Sequence, residues 1–352
     1  MSIPPSLINQ APHWIEEPAP FSGVVMSSRA RYARNVADHL FAPHSQPSVL
    51  AQVREEVAEA ISNNPFFEPF HCLEMTEVTG AERTFLKEAR LISKEMERGG
   101  ASRAVYVAPD FKCSIMVNEE DHLRLQCLEP GLQISRVQET LAKMEEELGA
   151  VLRFAFHDQL GYLTACPTNV GTGLRVSVMM HLPGLTLQRE VEAAMAGLAK
   201  MGLTSRGFHG ENSENTGDFY QVSNEVTLGE PVAEIEEKLR QVASAILERE
   251  REARSLLISK GGIAVQDAVW RSFGVLANAR KIDSGEAMKL LSRVRLGIDE
   301  GYFGDLSHEK MNQLILDIQP GHLIFRHGAH DQPEDRDSQR ATLIRSTLGN
   351  AS

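Results

Sequence analysis

The chain has 352 residues, 42% of them hydrophobic and 24% charged, with a formal net charge of −12. That length suits one large domain with an appendage, or two domains, in an ordinary globular protein. The acidic balance argues against a nucleic-acid binder, which would show a basic face. Its four cysteines (Cys72, Cys113, Cys127, Cys166) lack Cys-x-x-Cys spacing, so neither a zinc nor a redox signature is present and nothing suggests secretion. No basic segment followed by an apolar one opens the chain, and no apolar run approaches a membrane span. A reducing cytoplasm is therefore the expected compartment.

Residues 1–22 are proline-rich and read as an extended arm, with Trp14 and Ile15 docking onto the body. Val24, Val25 and Met26 read as a short strand running into Ser27-Ser28-Arg29-Ala30-Arg31. A helix is expected over 47–63, with Pro47 near its start and Val49, Leu50, Val53, Val57 and Ile61 on one face. Thr79 and Glu82 have capping-box spacing for a second helix reaching about Glu97, closed by Gly99 and Gly100. Strands follow at 104–108 and 111–117, joined across Pro109 and Asp110, and then over 118–129. Ser135 and Gln138 suggest another capping box, for a helix ending at Gly149. Residues 151–157 and 160–165 read as a strand pair, leading into a glycine-containing loop and a strand over 175–182. A helix over 186–201, a glycine-punctuated stretch over 206–218 and a strand over 219–227 come next.

Pro231 opens a long helix to about Ser259, and residues 263–348 hold three or four amphipathic helices and no convincing strand. The fold class expected is α/β of the α+β kind: an antiparallel-rich sheet flanked by helices, without regular βαβ alternation, followed by a smaller all-helical C-terminal domain. The boundary falls near 255–262, giving an arm at 1–22, a sheet domain at 23–256 and a helical domain at 257–352.

Four polar stretches carry the chemistry. The run from Cys166 to Arg175, Cys-Pro-Thr-Asn-Val-Gly-Thr-Gly-Leu-Arg, cannot fill a core. Its glycines, threonines and asparagine can bring N–H groups, hydroxyls and an amide close to an anionic or polar ligand. If the strand after Asn118 begins early, its period of two puts Glu120, His122, Arg124 and Gln126 on one face and Leu123, Leu125 and Cys127 in the core. Residues 206–214 have too much glycine for a packed element and read as a lid carrying Arg206, Glu211 and Glu214. Arg29 and Arg31 follow a strand. Taken singly, each stretch could be a solvated turn or loop. Together they offer Arg29, Arg31, Arg124, Arg175 and Arg206 with Glu120 and Glu211, and fixed planar cations suit a triphosphate where no P-loop exists. No Gly-x-x-x-x-Gly-Lys-Ser/Thr, dinucleotide fingerprint, His-Arg-Asp or Asp-Phe-Gly motif is present.

The strings SSRARYARN, NEEDHLRLQ, CPTNVGTGLR and RGFHGENSE, in this order, resemble the guanidino (phosphagen) kinase family, which includes arginine and creatine kinases. The likeness spans roughly residues 24–254 and implies the phosphagen-kinase catalytic fold, with ATP and Mg2+ as cofactors. It implies that the five arginines clamp the phosphates and that the nucleotide lies against three segments. These are Ser27, Ser28, Arg29, Ala30 and Arg31; then Arg175, Val176, Ser177, Val178 and Met179; then Arg206, Gly207, Phe208, His209, Gly210 and Glu211. Catalytic carboxylates fall at Glu120 and Glu211 and an active-site cysteine at Cys166, with magnesium held through ATP and not by a protein metal site.

Phosphagen kinases have a helical N-terminal domain that this sequence lacks. It carries instead C-terminal helices ending in Arg336-Asp337-Ser338-Gln339-Arg340-Ala341. Both features resemble the bacterial protein-arginine kinase branch, which phosphorylates arginine side chains in proteins. The resemblance implies a separate phosphoarginine-binding, allosteric site at Arg336, Asp337, Arg340 and Ala341, where Arg336 and Arg340 stand i, i+4 on one cationic helix face. It also implies protein substrates with accessible arginines, a zinc-binding activator protein, a Clp-type ATPase–protease that degrades marked proteins, and a homo-oligomer, a dimer. Asn212 stands where this branch usually has glycine, and Arg90 where many members have histidine. Two other readings stay open: a kinase of a small free guanidino compound, and a non-catalytic phosphoarginine-binding adaptor. A hydrolase built on Cys166 would need a partner histidine that the sequence does not identify.

Overall fold

Alternating side chains along ten strands set the architecture. The computed structural model describes residues 3–207, 217–329 and 332–349. The strands are β1 (Val25–Arg34), β2 (His71–Glu74), β3 (Ala104–Val107), β4 (Cys113–Val117), β5 (Leu123–Pro130), β6 (Phe156–His157), β7 (Gly161–Tyr162), β8 (Leu174–His181), β9 (Leu203–Gly207) and β10 (Phe219–Asn224). Eight of them form one antiparallel sheet in the order β2-β3-β4-β5-β1-β8-β10-β9, and β6 pairs only with β7. The helices are α1 (Pro5–Ile8), α2 (Pro47–Ser62), α3 (Gly80–Glu88), α4 (Lys94–Glu97), α5 (Ile134–Gly149), α6 (Pro183–Gln188), α7 (Val191–Met195), α8 (Val232–Asn278), α9 (Ser284–Asp299), α10 (His308–Asp317), α11 (Pro320–His327) and α12 (Pro333–Gly349). This is the α+β architecture expected, with the C-terminal region helical.

One face of the sheet is closed by helices. Ala30 and Tyr32 of β1, Leu125 of β5, and Val176 and Val178 of β8 pack against Val53 and Val57 of α2, Leu141 and Met144 of α5, and Leu239 and Ala243 of α8. The opposite face is covered only at its margins. Near β3 and β4 it carries α3 and the N-terminal Ile3 and Leu7. At the end of β1 where the strand begins, Met26, Leu128, Met179 and Phe219 meet Met288 and Leu291 of α9 and Leu314 of α10. Trp14 and Ile15 dock in that same layer, as the arm reading expected.

Several local expectations shift for identifiable reasons. The Thr79/Glu82 capping box forms, but its helix stops at Glu88 and a separate turn, α4, follows. Ser135 and Gln138 make no box, because α5 starts earlier, at Ile134. The helix expected over 186–201 is broken into α6, α7 and a 3-10 turn, with Arg189 and Gly197 in the left-handed region. Residues 151–165 are mostly irregular, with only a two-residue ladder. The expected boundary at 255–262 lies inside a single long helix, α8, interrupted only at Gly261, whose φ of −128° and ψ of 23° are not helical.

A buried polar network joins the sheet domain to the C-terminal helices. Arg254 of α8 donates to Glu250 at 2.6 Å and to the carbonyls of His181 (3.1 Å) and Gly23 (3.3 Å), and also pairs with Asp299. Glu250 in turn accepts from the Gly184 and Leu185 amides at 2.8 and 2.9 Å, capping the start of α6. Arg295 of α9 donates to the Gly23 carbonyl and to His181 Nδ1, both at 2.8 Å, and to Asn312 at 3.3 Å. With its Nδ1 accepting, neutral His181 carries its proton on Nε2 and donates to Ser292 Oγ at 2.9 Å, and Ser292 donates to Asp218 at 2.5 Å.

Candidate active site

Strand register brings the arginines together. In β1, Arg29 and Arg31 are two residues apart and so share a face. Arg31 lies opposite Arg175 of β8 on one side and Gln126 of β5 on the other, and Arg124 lies opposite Ala33, two positions further along the same face. Met179 of β8 is paired with Gln221 of β10, which is paired with Arg206 of β9. Directly paired residues point the same way, so all five arginines project from the face the helices leave uncovered. These arginines sit inside strands, and the short strand with a polar tail expected at 24–31 is in fact ten residues long.

The set is rich in positive charge. Burial, followed by the charges of Arg90, Arg175, Arg124 and Arg206, pulls the Arg29 guanidinium down to about 9. Arg31 is held well below its ordinary value by burial and by Arg29, Arg124 and Arg175. Guanidinium groups stay protonated, so these shifts gauge how strongly the site favours an added anion. Neutral groups help orient two of the side chains: Arg29 donates to Gln221 Oε1 at 3.1 Å and Arg175 to Ser223 Oγ at 3.2 Å. Arg31 has no hydrogen-bond partner among the described residues. Arg90 adds a sixth guanidinium, donating to Ser27 Oγ at 3.2 Å and lying over the Trp14 ring at 4.7 Å.

The acids lie in the turn between β4 and β5. Glu119 is buried and accepts from Arg124 Nη1 at 2.8 Å and from Ser93 Oγ. Glu120 is the carboxylate left toward solvent, with its side chain 38% exposed and 3.3 Å from Arg124 Nη2. Burial raises its carboxyl above the ordinary value, and Arg124 opposes that rise. Asp121 ties the turn to the cysteine segment, accepting from Asn35 Nδ2 at 2.7 Å and from the Ala165 amide at 2.6 Å. The Asn35 amide also donates to the Leu163 carbonyl at 3.1 Å. These bonds fasten the residue before Cys166 to the residue after Glu120. Cys166 Sγ lies 3.0 Å from Thr168 Oγ1.

Not every expected position faces the site. Ser28, Ala30, Val176 and Val178 point to the helix-covered face, where Ser28 donates to the Gly131 carbonyl at 2.8 Å and the other three lie in the core. Ser27, Ser177 and Met179 share the arginine face, though Met179 packs against the C-terminal helices. His122 is not on that face either, because β5 begins one residue later. It accepts from the Val36 amide at 3.1 Å and donates to the Leu40 carbonyl at 3.1 Å, and burial pushes it down to about 4. Part of the glycine loop's amide set is already used within the protein. Its Gly171 and Thr172 amides are already bonded to the carbonyls of Tyr162 and Thr227. Gly171, at φ +110°, is needed because a Cβ there would meet the Thr227 carbonyl oxygen at 2.3 Å. Gly207 ends β9; Phe208, His209, Gly210, Glu211 and Asn212 lie outside the described residues.

The C-terminal motif is also differently arranged. Arg340 is buried and donates to the Ile318 and Ile282 carbonyls at 2.9 and 3.0 Å and to Asp337 at 2.6 Å, so it does not share an open cationic face with Arg336. Ala341 is likewise buried. Sequence reasoning missed Asn35, Asp121, Gln221, Ser223 and Thr227. The alternation Tyr220-Gln221-Val222-Ser223, polar on one face only, was a usable signal for two of them. Among the described residues no group of three or more His, Cys, Asp or Glu side chains is placed to hold a metal ion. No helix among them is long and apolar enough to cross a membrane.

The chain is similar to proteins of known activity over nearly all of its length. It is 41% identical over 337 residues to a protein-arginine kinase of Geobacillus stearothermophilus, covering 95% of this chain and 93% of that one. It is 41% identical over 348 residues to a protein-arginine kinase of Halothermothrix orenii, with 99% of each chain covered. Among solved structures, a duplicated taurocyamine kinase from Schistosoma mansoni superposes with a TM-score of 0.60 at 26% identity, covering 70% of this chain and 36% of that one. A lombricine kinase, at a TM-score of 0.59 and 20% identity over 70% of each chain, shares the fold. Residues 262–352 match the family described as protein-arginine kinase McsB C-terminal domain. Residues 52–253, which hold β2 to β10 with Arg124, Arg175 and Arg206, match the C-terminal catalytic domain of the ATP:guanido phosphotransferases, and the chain belongs to that family.

Proposed function

We propose that this protein is a protein-arginine kinase that transfers the γ-phosphoryl group of Mg-ATP to a guanidinium nitrogen of an arginine side chain in a protein. The observation that carries the reading is the convergence of five guanidinium groups on one uncovered sheet face, beside the turn that presents Glu120. The choice of a protein acceptor over a small free guanidino compound rests on the names of the full-length relatives and on the match of the C-terminal helices.

A triphosphate fits this face. Arg29 and Arg31 are surrounded by like charges, and phosphate oxygens would supply the missing negative charge. ATP held by these arginines would supply the transferable phosphoryl group, and the magnesium that accompanies it would offset further phosphate charge. The arginines then hold the chain of phosphates in line and offset charge as it shifts, which is most of what such a transfer needs.

The acceptor is the harder problem. A guanidinium has a pKa of about 12.5–13.8 and an ordinary Glu about 4.3, so full deprotonation before attack would cost on the order of 11–13 kcal/mol. Burial raises Glu120 and narrows that gap without closing it. Glu120 therefore first orients the cation, with Glu211 as its proposed counterpart, and takes the proton as the N–P bond forms and the bond from the γ-phosphorus to the bridging oxygen breaks, releasing ADP. Cys166 shapes the acceptor pocket from the side that Asp121 anchors.

The test is incubation with ATP and either free arginine or an arginine-rich unfolded protein, followed by mass spectrometry without acid, because N–P bonds do not survive acidic handling. Phosphorylated arginine in the protein and none in the free amino acid is expected. The reverse pattern would assign a small-guanidino kinase, and absence of turnover on either would assign a non-catalytic binder.

A further inference from the structure

Two of the four cysteines face one another. Cys113 opens β4 and Cys127 lies in β5, and the register pairs them directly. On the adjoining rung the Leu128 amide donates to the Lys112 carbonyl at 2.8 Å. Hydrogen-bonded and non-hydrogen-bonded rungs alternate in an antiparallel ladder, so the cysteines occupy a non-hydrogen-bonded rung. Cα atoms at such a rung approach to about 4.5 Å, within the roughly 4.4–6.8 Å that a disulfide spans. The sulfurs already lie 2.8 Å apart, closer than van der Waals contact, and Cys127 Sγ is 3.2 Å from Met144 Sδ.

This cluster is on the helix-covered side of the sheet, away from the arginines, and the transfer reaction makes no use of it. A cleft gives access on the Cys113 side. Cys113 forms part of the wall of an open cleft of about 320 Å3 between Phe66, Phe70, Ala108, Lys112 and Met144. Cys127 lies behind it with no exposed surface.

We propose that Cys113 and Cys127 are a modification site, a thiol pair that a small peroxide entering this cleft converts to a reversible cross-strand disulfide. The Cys113 sulfur attacks one peroxide oxygen; the O–O bond breaks, the leaving oxygen departs as water with the thiol proton, and Cys113 becomes a sulfenic acid. The Cys127 sulfur then attacks the Cys113 sulfur; the S–O bond breaks and a second water leaves with the remaining thiol proton. Two thiols and one hydrogen peroxide give one disulfide and two waters, with sulfur oxidised and peroxide oxygen reduced. Burial and the Cys113 neighbour push the Cys127 thiol well up, which assigns it the second, resolving step.

The experiment treats the full-length protein with hydrogen peroxide, alkylates the remaining thiols and maps the peptides without reduction. A cross-linked pair of peptides containing Cys113 and Cys127, released by dithiothreitol, is expected. In Cys127→Ser the same treatment should leave Cys113 as a sulfenic acid that dimedone traps. Alkylation of both residues after peroxide treatment of the wild type overturns the proposal, and so does a sulfinic acid at Cys113 in the wild type. The wild-type map decides the matter even if the variant does not fold.

Discussion

Two clusters of arginine, one buried and one half-buried, sit within one molecule and are held in opposite ways. At the junction between sheet and C-terminal helices, Arg254 and Arg295 give their donors to Glu250, Asp299, Asn312, His181 and backbone carbonyls. On the open sheet face, the strongest electrical neighbours of Arg29 and Arg31 are other arginines, and the side-chain partner that orients Arg29, Gln221, is neutral. Burial lowers the proton affinity in both places, reaching about 10 for Arg295 and about 9 for Arg29. The difference is in the surroundings: Asp299 and Glu17 support the charge of Arg295 and Arg254 alone opposes it, whereas four cations oppose that of Arg29. A charge with its counter-charges inside the protein is structural; a charge kept without them is reserved for something that arrives.

Substitutions can sharpen or break this contrast. The largest effect is expected at the acid bordering the open face. Glu120→Gln should lower kcat by on the order of 10²–10⁴ while calorimetry shows ATP affinity retained, and near-normal turnover would remove Glu120 from the proposed chemistry. Next comes the junction. Arg295→Met leaves His181 Nδ1 and Asn312 Oδ1 without their donor in a buried place, and the Gly23 carbonyl with only its longer bond from Arg254. A loss of about 3 kcal/mol is expected from chemical denaturation, with little change in ATP affinity.

The same substitution on the open face should do the reverse. Arg31→Met removes a half-buried cation crowded by like charges, so the thermal midpoint should rise while the Kd for ATP weakens about tenfold or more, the value of one or two charge-assisted hydrogen bonds. If it destabilises the protein as Arg295→Met does, the distinction between the clusters fails.

The smallest effect concerns the pair that fastens the N-terminal arm to β5, His13 Nε2 and Glu129 Oε2 at 3.0 Å. The hydrogen bond that His13 donates to Glu129 raises His13, opposed by burial, so its contribution is complete below 6.5 and lost as pH rises through the folded value. For Glu129, burial pushes upward but the bonds from His13 and Lys112 outweigh it. Its lowered value gives a contribution present above 4.5 and lost as pH falls. Stability from this link is therefore greatest between 4.5 and 6.5. His13→Ala should flatten that maximum by about 1 kcal/mol or less, since the histidine is partly exposed.

Much of the site could be read from residues alone because charge and motif order are local properties. Arg29 and Arg31 share a face by simple alternation, and Glu120 and Cys166 stand in stretches too polar for a core. What sequence could not supply was register. Alternation alone turns Ser28 and Ala30 away from Arg29 and Arg31, but only the pairing of β1 with β5 and β8 shows that Arg124 and Arg175 share the face of Arg29 and Arg31. The start of β5 at Leu123, one residue after His122, decides that the histidine is a packing group. Arg340 misled for a related reason: i, i+4 spacing specifies a shared helix face, but not whether that face is covered, and here the ends of two neighbouring segments cover it. The glycines at 171 and 173 suggested ligand contact, whereas close backbone approach to Thr227 and Ala33 is what excludes a side chain there.

The helix from Val232 to Asn278 has a consequence for anyone who would recombine these domains. Because it crosses the boundary with a single irregular residue at Gly261, its two halves are phased like a keyed shaft. Each residue inserted there would turn the distal half by about 100° and advance it about 1.5 Å. Val269 and Leu276, which now point into the C-terminal core, would swing out of it. Graftable versions of the C-terminal helices should therefore be cut before Val232, where the chain is still outside the rod, and not at the seam where the two family matches meet.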